Sequence, residues 1–373
     1  MSAEYKYRQY RDGDAAAINH LYDEITGRSR SKKQFEWQWL EAPGGKGDIW
    51  LIEAISNDGK TNLIGHHGIM PIRFSRGNED LLFGKTENTM VLPEYRSKIL
   101  YPRFERRFAQ AYEGRFDALF STFGPAAAIR QRRAMGYTFP SKWVQLRIPT
   151  SRAGNLSFIY RILRSRIGLK EKAGSDLARR SPANTTVTSR TSPLELRALD
   201  DAQARVEPFF DSFWSDCRSE YALTPRRDRD DLDWRFWSNP NTSYVTLISD
   251  KASGEPGYVV VRTSESSPDT ASIEDIVPSE PNAKKFGRLL DSALAWLKVN
   301  GYRWVDVSVT SDACADDRIA AGIESRNLLL LQARSRFRPD PDKLMPRKIT
   351  ASGKSKNIGL DDWYVTPIVF EGL

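Results

Sequence analysis

FEWQWLEAPGGKGDIWLIEA, residues 35–54, and LDWRFWSNPNTSYVTLISD, residues 232–250, are two versions of one pattern. Each places a tryptophan six residues before a proline, Trp37 before Pro43 and Trp234 before Pro240, and each then opens an apolar strand on an aromatic residue, Trp50 or Tyr244. Strand, turn and strand follow in both copies. The first reads IWLIEA, SNDGK, NLIGHHGIMPIRF and the second YVTLISD, KASGE, PGYVVVRT. The turns Asn57-Asp58-Gly59 and Lys251–Gly254 suit hairpin connections, because these residues tolerate the backbone angles a tight reversal needs.

Outward from these hairpins the copies keep the same order. A third strand is expected near 83–94 and 271–280, carrying Glu87 or Glu274 and ending at Pro93 or Pro278. A helix follows each, with Tyr101, Phe104, Phe108 and Tyr112, or Phe286, Leu289, Leu290, Leu294 and Leu297, at helical spacing. Short strands at 116–122 and 303–309 come next, each followed by another helix. The order β-α-α-β-β-β-α-β-α-β predicts an α+β (mixed α/β) fold in which a mostly antiparallel mixed sheet is flanked by helices. With 373 residues, two domains are expected: 1–150 and 191–373, joined by a basic polar linker over 151–190.

Composition sets limits on function. Apolar residues make up 40% and charged residues 28%, the balance of a globular chain. The longest wholly aliphatic run, Leu328–Leu331, falls far short of the ~20 residues that span a bilayer. The opening MSAEYKYRQYRDGD lacks the apolar core of a secretory signal, so a cytoplasmic location is expected. Cys217 and Cys314 are far apart and read as ordinary thiols. His20, His66 and His67 do not make a zinc site, so no metal is expected. A net charge of +8 can attract phosphate-bearing partners. No nucleic-acid-binding module accompanies it, and the Arg161–Arg180 stretch reads as a solvated linker or a phosphate-binding patch.

The segment that carries chemistry is VLPEYRSKILYPRFERRF, residues 91–108. A strand ends at Pro93, a loop holds Arg96, Ser97 and Lys98, and a helix begins near Tyr101-Pro102. Free N–H groups and the positive end of the helix dipole make such a junction an anion site, and Arg96 and Lys98 add charge-assisted contacts. A pyrophosphate-bearing cofactor is the natural occupant; a charged loop between packed elements is the other reading.

VLPEYRSKILY resembles the V-x-P-x-Y-R-G-x-G-x-G/A stretch of the GNAT superfamily of acetyl-CoA-dependent N-acetyltransferases, and the duplicated layout resembles its tandem members. The resemblance implies that the first domain binds acetyl-CoA or another acyl-CoA through Val91, Leu92, Arg96, Ser97, Lys98, Ile99, Leu100 and Tyr101, with a backbone N–H near Val91–Leu92 as oxyanion donor. It implies Glu87 as the base for a small-molecule amine acceptor, and it suggests an amino-sugar precursor as that acceptor. Family glycines are replaced by Ser97, Ile99 and Tyr101, and the usual asparagine and tyrosine positions fall on Pro125 and Arg132. The second copy, VPSEPNAKKFGRLL, lacks the arginine-glycine signature, although Glu274 and Asp275 offer it carboxylates.

Other candidates keep two readings each. His66 and His67 are adjacent on a strand, so at most one faces a given cleft and contacts substrate; a hydrogen-bonded core histidine is the alternative. Trp37 is a stacking platform for a flat acceptor or a core residue. For the whole chain, the expectation is an N-acyltransferase, with a non-catalytic ligand-binding or assembly protein of the same fold as the rival.

Overall fold

The computed structural model describes residues 4–98, 100–112, 114–121, 130, 132–138, 143–150, 194–264, 267–310, 350–352 and 364–369. The expected linker over 151–190, the helix expected after 303–309 and Cys314 lie outside them. In chain order the first half runs β1 (Glu4–Gln9), α1 (Ala15–Thr26), α2 (Lys32–Trp39), β2 (Asp48–Ile55), β3 (Thr61–Arg76), β4 (Glu79–Val91), a 3-10 turn (Pro93–Lys98), α3 (Leu100–Ala111), β5 (Ala118–Ser121) and β6 (Trp143–Pro149). The second runs β7 (Arg197–Leu199), α4 (Asp201–Val206), α5 (Phe209–Cys217), β8 (Thr224–Pro225), α6 (Arg229–Leu232), a π turn (Asp233–Trp237), β9 (Tyr244–Ser249), β10 (Gly257–Thr263), β11 (Thr270–Pro278), α7 (Ala283–Val299), β12 (Trp304–Thr310) and β13 (Thr350–Ser352).

Two mixed, mostly antiparallel sheets form, as the duplicated pattern predicts. Their strand orders are β1-β2-β3-β4-β5-β13 and β7-β9-β10-β11-β12-β6. Position by position these are the same sheet, and in each the only described parallel contact within the first five strands is between the fourth and fifth, β4 with β5 and β11 with β12. The sixth strand is exchanged. β6 lies inside the expected first domain but pairs with β12, while β13 lies inside the second and pairs with β5. Sheet membership therefore does not follow the divisions 1–150 and 191–373.

Local chemistry accounts for the boundaries. Ser31 and Gln34 form a reciprocal capping box at the start of α2, and Asp200 and Gln203 do the same for α4. Trp39 is fully buried because the strand beside it has no side chain: a Cβ on Gly68 would lie 2.1 Å from the indole.

The halves meet in one continuous core. Phe74, Leu81, Phe83 and Phe120 of the first sheet pack with the core of the second. β8 pairs with the end of β3, and Arg73 makes two bonds to Asp231 at 2.9 and 2.8 Å. Trp37 and Trp234, matched in sequence, stack at 5.5 Å, each indole N–H donating to the other's carbonyl at 2.6 and 2.8 Å. Equivalent residues meet in this way on an internal two-fold axis. No described helix is long and apolar enough to cross a membrane.

Candidate functional site

The site is built where β4 leaves its neighbours. β5 pairs with β4 only at Phe83, Gly84 and Lys85. Beyond Lys85 no described strand covers that edge of β4. On its other edge β4 stays paired with β3 to Val91, but with a register shift. His66 opposes Met90 and Gly68 opposes Glu87, so Asn88 and Thr89 together oppose His67. This is a β-bulge, and Asn88 carries the chain's described positive φ outside glycine, 47°.

The bulge decides which N–H groups face away from β3. Leu92 N–H donates to Ile64 O at 2.9 Å, which takes it out of the expected oxyanion role. Antiparallel alternation then points Val91 N–H and C=O away from β3. Arg96 Nε donates to Val91 O at 2.9 Å, so this guanidinium is turned back onto the strand end.

The cofactor-loop residues are brought together at this strand-turn-helix junction. The side chains of Val91, Leu92 and Leu100 pack into a core cluster with Phe104. Ser97 is exposed, Lys98 closes the 3-10 turn, and Tyr101 is the second residue of α3. Ile99 and Pro125 lie outside the described residues. Arg132 is buried and donates to Ser121 Oγ at the end of β5 (2.6 Å).

Glu87 lies on the same sheet face as Gly68, His66 and Trp39, because paired and alternate residues share a face. Its carboxylate is paired with the ammonium of Lys85, a lysine only 1% exposed. His66 and His67 are both fully buried on opposite faces. His66 Nδ1 donates to Asn88 O at 2.8 Å and its ring lies 5.5 Å from Trp39. Burial pushes its pKa down to about 3, with Arg30 adding to the shift. His67 Nδ1 bonds Thr89 Oγ1 at 2.6 Å, and its ring sits 3.9 Å from Phe108 under α3. Burial, then Arg132, holds it well below its ordinary value. Trp37 is 3% exposed in the stack between the halves, away from this group.

The second unit has the same bulge with a different finish. Val260 opposes Asp275 and Val261 opposes Ile273, leaving Glu274 as the extra residue, held by Arg262 Nε at 2.7 Å. Ile276, the counterpart of Val91, has its N–H bonded to Asp275 Oδ1 at 3.1 Å and its carbonyl bonded by Tyr364 OH. Asp275 also takes Arg227 Nε at 2.9 Å, Tyr258 OH at 2.7 Å and Thr366 Oγ1 at 2.7 Å. Sequence reading missed Arg227 and the 364–369 segment. An Arg227 seven residues before Trp234, matching Arg30 before Trp37, was the available signal. Among the described residues, no three His, Cys, Asp or Glu gather into a metal-binding group.

The chain is similar in fold to many solved structures. One is a conserved protein of Enterococcus faecalis V583 described as a probable N-acyltransferase, with TM-score 0.57 and 10% identity over 95% of this chain and 74% of that one. Two more are GCN5-related N-acetyltransferases. That of Kribbella flavida has TM-score 0.51 and 10% identity over 93% and 71% of the two chains; that of Anabaena variabilis ATCC 29413 has TM-score 0.52 and 12% identity over 82% and 66%. No protein-family model and no curated protein matches the sequence. At these identities the likeness establishes the fold: two GNAT-like domains in tandem.

Proposed function

We propose that the chain is an acyl-CoA-dependent N-acyltransferase whose working site lies in the first unit. The observation that carries this reading is the edge of β4 beyond Lys85, which no described strand covers and on which Val91 N–H points away from β3, with a 3-10 turn and the start of α3 following it. The residues present fit an acyl-CoA: an extended chain can lie along the strand edge, and a pyrophosphate suits the N-terminus of a helix. Bound there, acyl-CoA supplies the activated thioester.

The protein supplies the rest. Val91 N–H donates to the acyl oxygen as negative charge develops on it. Glu87 takes the proton from the acceptor ammonium, directly or through water, and Lys85 compensates its charge in the partly closed site. Arg132 lies where the resemblance places a tyrosine; it cannot give up a proton near neutral pH, so its role is electrostatic. Ser97, Lys98 and the N–H groups around Leu100 hold the phosphates. The acceptor is a small amine, with amino-sugar precursors the first class to try.

A panel of amino sugars, amino acids and polyamines, assayed by thiol release, tests the reading. With an accepted amine, Glu87→Gln lowers turnover by ~10²–10⁴-fold. CoA affinity by calorimetry stays within about threefold, because the carboxylate lies away from the helix N-terminus that holds the phosphates. An equally active glutamine variant removes Glu87 as the base. Arg96 folded back onto Val91 O favours a second reading, a non-catalytic ligand-binding protein. A chain that binds no CoA at millimolar concentration replaces the first reading with the second.

A further inference from the structure

We propose that His66 and His67 are positioning residues that clamp the β4 bulge from opposite faces of the sheet and so set the direction of the strand edge at Val91. The proposal rests on the acyltransferase reading of that edge. Its structural half stands on the bulge alone.

The bulge contains two residues, and each is held by one histidine. Asn88 sits at φ 47°, which costs a residue with a Cβ some strain and persists only where its surroundings impose it. His66 imposes it by donating Nδ1–H to the Asn88 carbonyl at 2.8 Å. That bond fixes the tautomer and leaves Nε2 as an acceptor. From the other face His67 Nδ1 bonds Thr89 Oγ1 at 2.6 Å. Adjacent strand residues necessarily project to opposite faces, so a consecutive pair is what a two-sided grip on the two residues of the bulge requires.

Both rings are seated by packing. His66 is set against Trp39, and His67 between Phe108 and Phe104 of α3. Burial with Arg30 near His66, and with Arg132 near His67, keeps both rings neutral across the working range, so the clamp does not open with pH. The second unit makes the contrast. Val260 and Val261 stand in place of the histidines, and no residue of the bulge at Glu274 has a positive φ. Two imidazoles buried in a strand are costly in desolvation, and a plain hairpin keeps valines there.

His66→Leu, His66→Asn and His67→Leu decide the matter, with two measurements on the full chain. The first is amide hydrogen exchange over residues 87–92. His66→Leu speeds it, and His66→Asn, whose side-chain N–H reaches the same carbonyl, returns it to the wild-type rate. The second is steady-state kinetics with an accepted amine. His66→Leu lowers kcat by about 10²-fold, the effect of a misplacement near 1 Å, while KM for acyl-CoA stays within about threefold and His66→Asn recovers most of the rate. The midpoints of the pH profile do not move in either variant. His67→Leu repeats the pattern more weakly, because it holds a side chain and not the strained carbonyl. Wild-type exchange in a folded His66→Leu protein overturns the clamp. Loss of a pH inflection with His66 overturns its positioning role in favour of a titrating one. If the wild type turns over no amine, the acyltransferase reading fails, and the exchange comparison alone decides the clamp.

Discussion

The end of β4 and the end of β11 are the same place in the two units, finished in opposite ways. At β4, residue 90 is methionine, and the N–H of Val91 points away from β3 on an edge that no described strand covers. At β11 the matching residue is Asp275, which folds over to accept the edge N–H of Ile276, and Tyr364 takes the carbonyl. Arg227, Tyr258 and Thr366 then lock that carboxylate. One residue thus separates an edge that can receive a ligand from one that is satisfied from within.

Breaking the lock in the second unit carries the largest effect. The Arg227–Asp275 pair is fully buried on both sides. Asp275→Asn keeps the shape and the acceptor for Ile276 N–H but leaves a guanidinium without its counter-charge, and a stability loss of about 3–5 kcal/mol is expected. Urea unfolding followed by tryptophan fluorescence measures it. A change under about 1 kcal/mol would show that Thr224 Oγ1 and the Pro225 carbonyl already satisfy Arg227.

Transplanting the closure is the converse. Met90→Asp in the first unit gives Val91 N–H an internal acceptor, as Asp275 does for Ile276. Removal of one oxyanion donor costs about 10²–10³-fold in kcat, with the fold intact by circular dichroism. Unchanged turnover would mean that Val91 N–H is not the donor.

The site where both units contribute alike gives a smaller and symmetric effect. Trp37→Phe and Trp234→Phe each remove one indole N–H bond to a backbone carbonyl, so each single loss is expected near about 1 kcal/mol. The coupling energy of the double-mutant cycle reports the ring stack, and single losses well under about 1 kcal/mol would mean that the indole N–H groups contribute little.

Much of this was legible in the sequence, and the reasons for the rest are physical. Duplication showed because Trp-to-Pro spacing and strand order are local. The same fact identified Trp37 and Trp234 as equivalents, yet not that they touch: equivalence becomes contact only on a two-fold axis, which no local pattern reveals. The exchange of β6 and β13 was hidden because a strand's own residues do not name its partner. Glu87, His66 and His67 were found as polar residues on predicted strands. What each one grips depends on a bulge, one extra residue in register that leaves no mark on hydrophobic alternation. Arg96 was placed at the right junction, and its turn back onto Val91 O is a rotamer, not a sequence feature.

The smallest effect is a matter of pH, and it has opposite signs in the two units. Asp14 and Asp201 both follow the first strand of their unit, at the start of the next helix. Burial raises Asp14, but bonds from the Arg8 side chain and the Arg11 N–H outweigh it and hold its pKa below the ordinary 3.8. Asp201 is raised to about 6, chiefly by burial, with only the Tyr244 N–H and weaker contacts opposing. A lowered pKa contributes stability above the unfolded value and loses it as pH falls through the folded one. A raised pKa contributes stability fully below the unfolded value and loses it as pH rises through about 6. Asp14→Asn should therefore lower the urea midpoint at pH 7 and converge on the wild type in strong acid. Asp201→Asn should remove the decline that the wild type shows between about pH 4 and about pH 6, since an amide has no charge to bury. Both groups are partly solvated, so each difference is expected below about 1 kcal/mol. A wild-type decline that persists undiminished in Asp201→Asn would place its source elsewhere, and the two units would then respond to pH alike.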